Sequence, residues 1–142
     1  MTLHPIIDAL RTQEGLVRTL GLELEAQQDA VHVAMTVAPL HGGAPGVAHG
    51  GSVMALLDSA LGMRALQLAL EQGRVTSTVE MKVNFLRPAR IGQRLVVHTE
   101  LQSQGRSLLV LSGHAEDAET GERVAFAVGT FNLYDSPRLR SE

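Results

Sequence analysis

The stretch His49-Gly50-Gly51-Ser52-Val53-Met54-Ala55-Leu56-Leu57-Asp58-Ser59-Ala60-Leu61-Gly62 decides how this chain folds. Two glycines lead into an apolar run, and between His49 and Arg64 the one formally charged side chain is Asp58. Apolar positions continue to Leu70 on nearly every helical face and Gly73 supplies a stop signal, so the run predicts a helix over about 51–71 wrapped by the rest of the chain. Asp58, Arg64 and Gln67 interrupt it, which favours a core helix over a membrane span. An ionised carboxylate among Leu56, Leu57, Ala60 and Leu61 is costly to bury without a partner or a task. Asp58 therefore reads as a chemical group, with a structural carboxylate bonded to loop amides as the competing reading.

On both sides of this helix the pattern changes to period two. Residues 22–26 and 31–37 alternate and predict two strands, joined by a turn at Gln28-Asp29. After Gly73, Val75, Ser77, Val79, Met81, Val83 and Phe85 alternate with Thr76, Thr78, Glu80, Lys82 and Asn84, and Pro88 ends the run. That alternation assigns Val79 and Met81 to the helix-facing side and Thr78 to the polar side. Three more strands follow at 94–101, 106–116 and 122–133, separated by turn signals at 102–105 and 117–121. A short amphipathic helix at about 4–16 with Ile6, Ile7, Leu10 and Leu16 on one side precedes them, and a polar tail from Asp135 is expected to fray. The order predicts an α+β fold: an antiparallel sheet of five to six strands curled around one long helix. An open sheet leaves edges to be paired, and pairing a long strand such as 77–85 with its symmetry mate predicts a homodimer or larger assembly.

Composition narrows the function. The 142 residues fit one domain over 1–142; at 44% hydrophobic and 19% charged they predict a folded globule. A net charge of -3 offers no basic field for nucleic acid. The absence of cysteine excludes disulfides and Cys-ligated zinc, and the N-terminal residues do not read as a secretory signal, so the expectation is a cytoplasmic protein not bound to membrane. The paired glycines at 42–43 and 50–51 lack the Lys-Ser/Thr of a phosphate-binding loop, Ser52 does not sit in a nucleophile elbow, and His41 and His49 have no neighbours at ligand spacing, so no metal is expected.

The motif His49-Gly50-Gly51 with Leu57-Asp58-Ser59-Ala60-Leu61-Gly62, followed by Thr78-Val79-Glu80-Met81-Lys82-Val83-Asn84-Phe85-Leu86-Arg87-Pro88-Ala89, resembles the hotdog-fold acyl-CoA thioesterases of the PaaI-like, phenylacetic-acid-pathway type. The resemblance spans roughly Val31 to Leu133. It implies hydrolysis of an acyl-CoA thioester, aryl or short- to medium-chain, between two subunits of a homodimer or dimer-of-dimers homotetramer. No cofactor is implied, because coenzyme A is part of the substrate. Asp58 matches the family's essential carboxylate, acting as nucleophile or general base. Gly50 matches the glycine whose backbone N–H polarises the thioester carbonyl, which suits an amide at a helix N-terminus. His49 matches the adjoining orienting histidine, with a plain helix-capping histidine as the competing reading. Thr78 matches a hydroxyl that positions substrate or water.

Substrate contacts are expected from Gly51, Val53, Met54 and Leu57 around the acyl group. Arg87, Arg106 and Ser107 are expected near the nucleotide phosphates, with Arg90 a further cation at a strand end. Family members often carry an Asn six residues before the histidine, where this chain has Gly43. A non-catalytic acyl-CoA-binding or regulatory hotdog domain is the alternative function; a hydratase lacks its Asp and His in one short segment after a strand.

Overall fold

The computed structural model describes residues 4–28 and 30–137. One antiparallel sheet in the order β1-β2-β4-β5-β6-β3 wraps a single long helix. Its strands are β1 (Glu23–Gln27), β2 (Ala30–Thr36), β3 (Arg74–Phe85), β4 (Arg94–Gln104), β5 (Leu108–Asp117) and β6 (Arg123–Asp135). Helices α1 (Pro5–Thr12) and α2 (Leu16–Thr19) precede the sheet, and the central helix α3 spans Gly50–Leu70. This is the hotdog architecture the sequence predicts. The N-terminal helix differs: the backbone turns extended at Gln13, so two short helices replace one, and Leu16 is exposed instead of joining Ile7 in the core. Of the expected turn, Gln28 adopts a positive φ of 52° and Asp29 lies outside the described residues, as does the tail beyond residue 137.

The helix is buried by the sheet's curl. By length and composition α3 could cross a membrane, yet Val53, Leu56, Leu57, Ala60, Leu61 and Leu68 are all packed inside the fold. Leu61 presses so close to β5 that a Cβ at Gly113 would sit 2.9 Å from its Cδ2 and 3.1 Å from the His98 carbonyl. Only glycine lets helix and sheet approach this closely.

Two features of the sheet position the site. β3 is an edge strand of 12 residues with Val79 56% and Phe85 53% exposed, a surface that folded proteins ordinarily cover or pair. It also carries a β-bulge: Thr78 pairs with Phe131 and Glu80 with Thr130, leaving Val79 as the extra residue. Before the bulge Thr76 and Thr78 lie opposite the inward-facing Leu133 and Phe131; after it Met81 and Val83 lie opposite the inward-facing Gly129 and Ala127. The bulge shifts the alternation by one residue, so Thr78 faces the helix and Val79 faces out. This corrects the unbroken alternation read from the sequence.

Candidate active site

Asp58 lies in the third turn of α3, half-buried, and its Oδ1 accepts a hydrogen bond from the Thr78 hydroxyl at 2.8 Å. The two residues open onto a hollow of about 240 Å³ lined further by Leu10 of α1, Met63, Leu66 and Phe131. A carboxylate accepting from a neutral hydroxyl keeps its second oxygen for other work, and the charge-assisted bond contributes about 1.5–3 kcal/mol to holding the group in place. Thr76 lines the same hollow, and its buried Oγ1 finds no acceptor or donor among the described residues.

The N-terminus of α3 forms a second centre. His49 is the N-cap residue: its Nδ1 accepts from the Gly51 N–H at 2.8 Å, which fixes the neutral ring as the Nε2–H tautomer. Ser52 and Val53 donate their N–H groups to the His49 carbonyl at 2.9 and 3.4 Å. The Gly50 N–H takes no acceptor among the described residues and stands at the positive end of the helix dipole. Gly50 lines a hollow of about 330 Å³ together with Val53, Phe85, Leu86, Arg87 and Pro88. His41 is spent on structure, accepting from Ala38 N–H at 2.9 Å and donating from Nε2 to the Leu20 carbonyl at 2.7 Å. A Cβ at Gly43 would lie 2.9 Å from the His49 Cα, so the loop here is closed tightly against the cap.

The expected substrate residues divide between these centres. Val53 and Arg87 line the Gly50 hollow, where Arg87 donates to the Arg123 carbonyl at 3.0 Å and pairs with Glu122 at 3.4 Å. Arg106 and Ser107 lie at the other end of the sheet, tied through their carbonyls to Arg74 (2.6 Å) and Leu133 (2.8 Å) beside the start of β3. Met54 is exposed on α3. Leu57 lines neither hollow: one position before Asp58 on the helix, it turns about 100° away and is wholly buried against the sheet. Gly51 contributes its N–H to the His49 ring and has no amide hydrogen left for a ligand. The sequence reading missed Leu10, Met63 and Leu66 as lining residues of the Asp58 hollow; of these Leu66, about two turns beyond Asp58 on α3, was discoverable from helix periodicity.

Residues 45–124 match the family model of the thioesterase superfamily. The chain belongs to that superfamily. Human acyl-coenzyme A thioesterase 13 is 28% identical over 126 residues, covering 87% of this chain and 89% of the human protein. Among solved structures, the E. coli PaaI protein from the phenylacetic acid degradation operon superposes with a TM-score of 0.80 at 21% identity, covering 92% of this chain and 91% of its own. A hypothetical thioesterase from Streptococcus pneumoniae, solved with coenzyme A, gives 0.71 at 26% identity, covering 81% of this chain and 87% of its own. This thioesterase thus has the hotdog fold anticipated from its motifs and shared with the E. coli PaaI protein, and it is a thioester hydrolase.

Proposed function

We propose that this thioesterase hydrolyses acyl-CoA thioesters, aryl or short- to medium-chain, at a site that a second copy of the chain completes. The observation that carries the reading is the separation of Asp58 from Gly50. Both lie on α3, eight residues or about 12 Å apart along its axis, so a single thioester carbonyl cannot touch both within one chain. Edge strand β3 links the two hollows, with Thr78 at one and Phe85 at the other. Antiparallel pairing of β3 with its counterpart about a two-fold axis near Met81 would bring Asp58 beside Gly50 of the partner subunit. It would also cover Val79 and extend the sheet across the dimer. A dimer of such dimers, in the cytoplasm, is the assembly we infer.

In that arrangement Gly50 N–H from one subunit holds the thioester oxygen as it becomes an oxyanion. Asp58 of the other either takes a proton from the attacking water or attacks the carbonyl carbon itself. Collapse breaks the C–S bond and expels the CoA thiolate, giving the free acid directly when water attacks, or a mixed anhydride on Asp58 that one water then cleaves to the free acid and the carboxylate. Thr78 holds Asp58 in position through its 2.8 Å hydrogen bond. Arg87 from the Gly50 side and Arg106 from the Asp58 side are cations that can serve the 3′-phosphate and pyrophosphate. The name of the human relative and the coenzyme A held by the streptococcal one support the substrate class. Release of free thiol from a panel of acyl-CoAs tests the proposal; turnover of at least one member supports it, and binding without turnover across the panel would support the regulatory alternative instead.

A further inference from the structure

On the solvent side of the sheet, away from α3, three of the chain's six histidines stand in one row. His98 on β4 lies directly opposite His114 on β5, and the β2–β4 register continues the row to His32, whose ring lies 6.1 Å from that of His98. The neighbours Val97 and Ala115 point inward and are wholly buried, which fixes the imidazoles on the outer face. Both imidazoles turn the same nitrogen toward one carboxylate. His98 Nε2 lies 2.6 Å from Glu116 Oε1 and His114 Nε2 lies 3.3 Å from Glu116 Oε2. The rings themselves are 5.2 Å apart. The three donor atoms fall within 4.8 Å of one another.

We propose that His98, His114 and Glu116 form a binding site for a divalent transition metal of the zinc class. Two imidazole nitrogens and a carboxylate oxygen are a donor set that zinc uses, whereas magnesium and calcium prefer oxygen alone. Tetrahedral coordination at zinc distances needs donor atoms about 3.3 Å apart, a contraction of about 1.5 Å from the widest spacing present. Side-chain rotation supplies it while the paired strands stay fixed. His114 and Glu116 are only 20% and 22% exposed, so their side chains are already confined near the required geometry. Arg123 lies opposite Glu116 on β6 and offsets part of its charge, so the selectivity of the site rests on the two nitrogens. The ion would clamp β4 to β5 on the sheet face opposite Asp58, outside the hydrolytic chemistry.

The test uses the full-length protein, stripped with EDTA and titrated with Zn²⁺ by calorimetry at about pH 7.5, where free histidines are mainly neutral. Co²⁺ absorption serves as a geometric probe. The expected result is one Zn²⁺ per chain and a tetrahedral Co²⁺ spectrum. His98→Ala and His114→Ala should each weaken binding by roughly 100-fold or more, and Glu116→Gln by roughly tenfold. Zn²⁺ should raise the melting temperature of the wild type and leave that of His98→Ala unchanged, a readout independent of turnover. Absence of Zn²⁺ binding to the folded wild type would overturn the proposal, as would equal binding by wild type, His98→Ala and His114→Ala.

Discussion

Replacing Asp58 with Asn separates chemistry from structure, because the amide has the carboxylate's shape and its oxygen can still accept from Thr78 at about the present 2.8 Å. Exchanging a charge-assisted hydrogen bond for a neutral one removes about 1 kcal/mol, which for a chain of this size lowers the melting temperature by about 3 °C. The fold therefore survives. The chemistry does not: an amide neither takes the proton from water nor attacks a thioester, and loss of a general base alone costs about 100- to 10,000-fold in rate. The expected outcome is a fall in kcat of at least about 100-fold, equivalent to about 2.7 kcal/mol of transition-state stabilisation, with KM changed by about threefold or less. Free CoA thiol release under saturating acyl-CoA measures kcat, and a thermal melt on the same sample confirms folding. Turnover within about threefold of wild type in a folded Asp58→Asn protein would refute the assignment.

Thr78→Val should lower kcat by less than Asp58→Asn, by about tenfold, while Thr78→Ser restores most of it; the double variant Asp58→Asn/Thr78→Val should be no slower than Asp58→Asn alone, since Thr78 acts through Asp58. An additive double variant would show that Thr78 has a separate role. In the β5–β6 turn, Asp117 accepts from the N–H groups of Thr120 and Glu119 and from the Gln93 side chain, and the two backbone bonds are the main reason its pKa is lowered. A carboxyl with a depressed folded pKa contributes stability that is complete above its unfolded value of about 4 and is lost as pH falls through the folded value. Asp117→Asn should therefore be less stable than wild type at pH 7, with the difference shrinking below about pH 4 in chemical-denaturation curves. A difference independent of pH would contradict this account.

The fold was legible because its signals are local and strong. The apolar run through α3, broken only by Asp58, Arg64 and Gln67 among its larger polar residues, is satisfied by a helix that the sheet wraps, and the strands from Arg74 onward each carried their own alternation and turn residues. Asp58 stands out for the same reason, as the one charge between His49 and Arg64. What escaped the sequence depends on register. Val75, Ser77, Val79 and Met81 look like one unbroken face, and nothing local marks Val79 as a bulge, so the turning of Thr78 toward Asp58 emerges only from the pairing of β3 with β6. Leu57 stands apart from Asp58 and is wholly buried, because neighbouring residues of a helix lie about a quarter-turn apart in space. His98 and His114 are sixteen residues apart and meet only through the β4–β5 ladder.

The central claim, a site divided between subunits, is tested most directly by mixing two inactive variants. Asp58→Asn removes the acid, and Gly50→Pro removes the backbone N–H while keeping a residue that suits the first position of a helix. His49 already has the extended backbone (φ -62°, ψ 139°) that a following proline requires. After subunit exchange at equal concentrations, half the dimers pair one variant with the other, and each such dimer holds one site carrying both lesions and one carrying neither. The account predicts recovery to about one quarter of wild-type thiol release. Mixed samples that exchange subunits yet remain as inactive as the separate variants would contradict it.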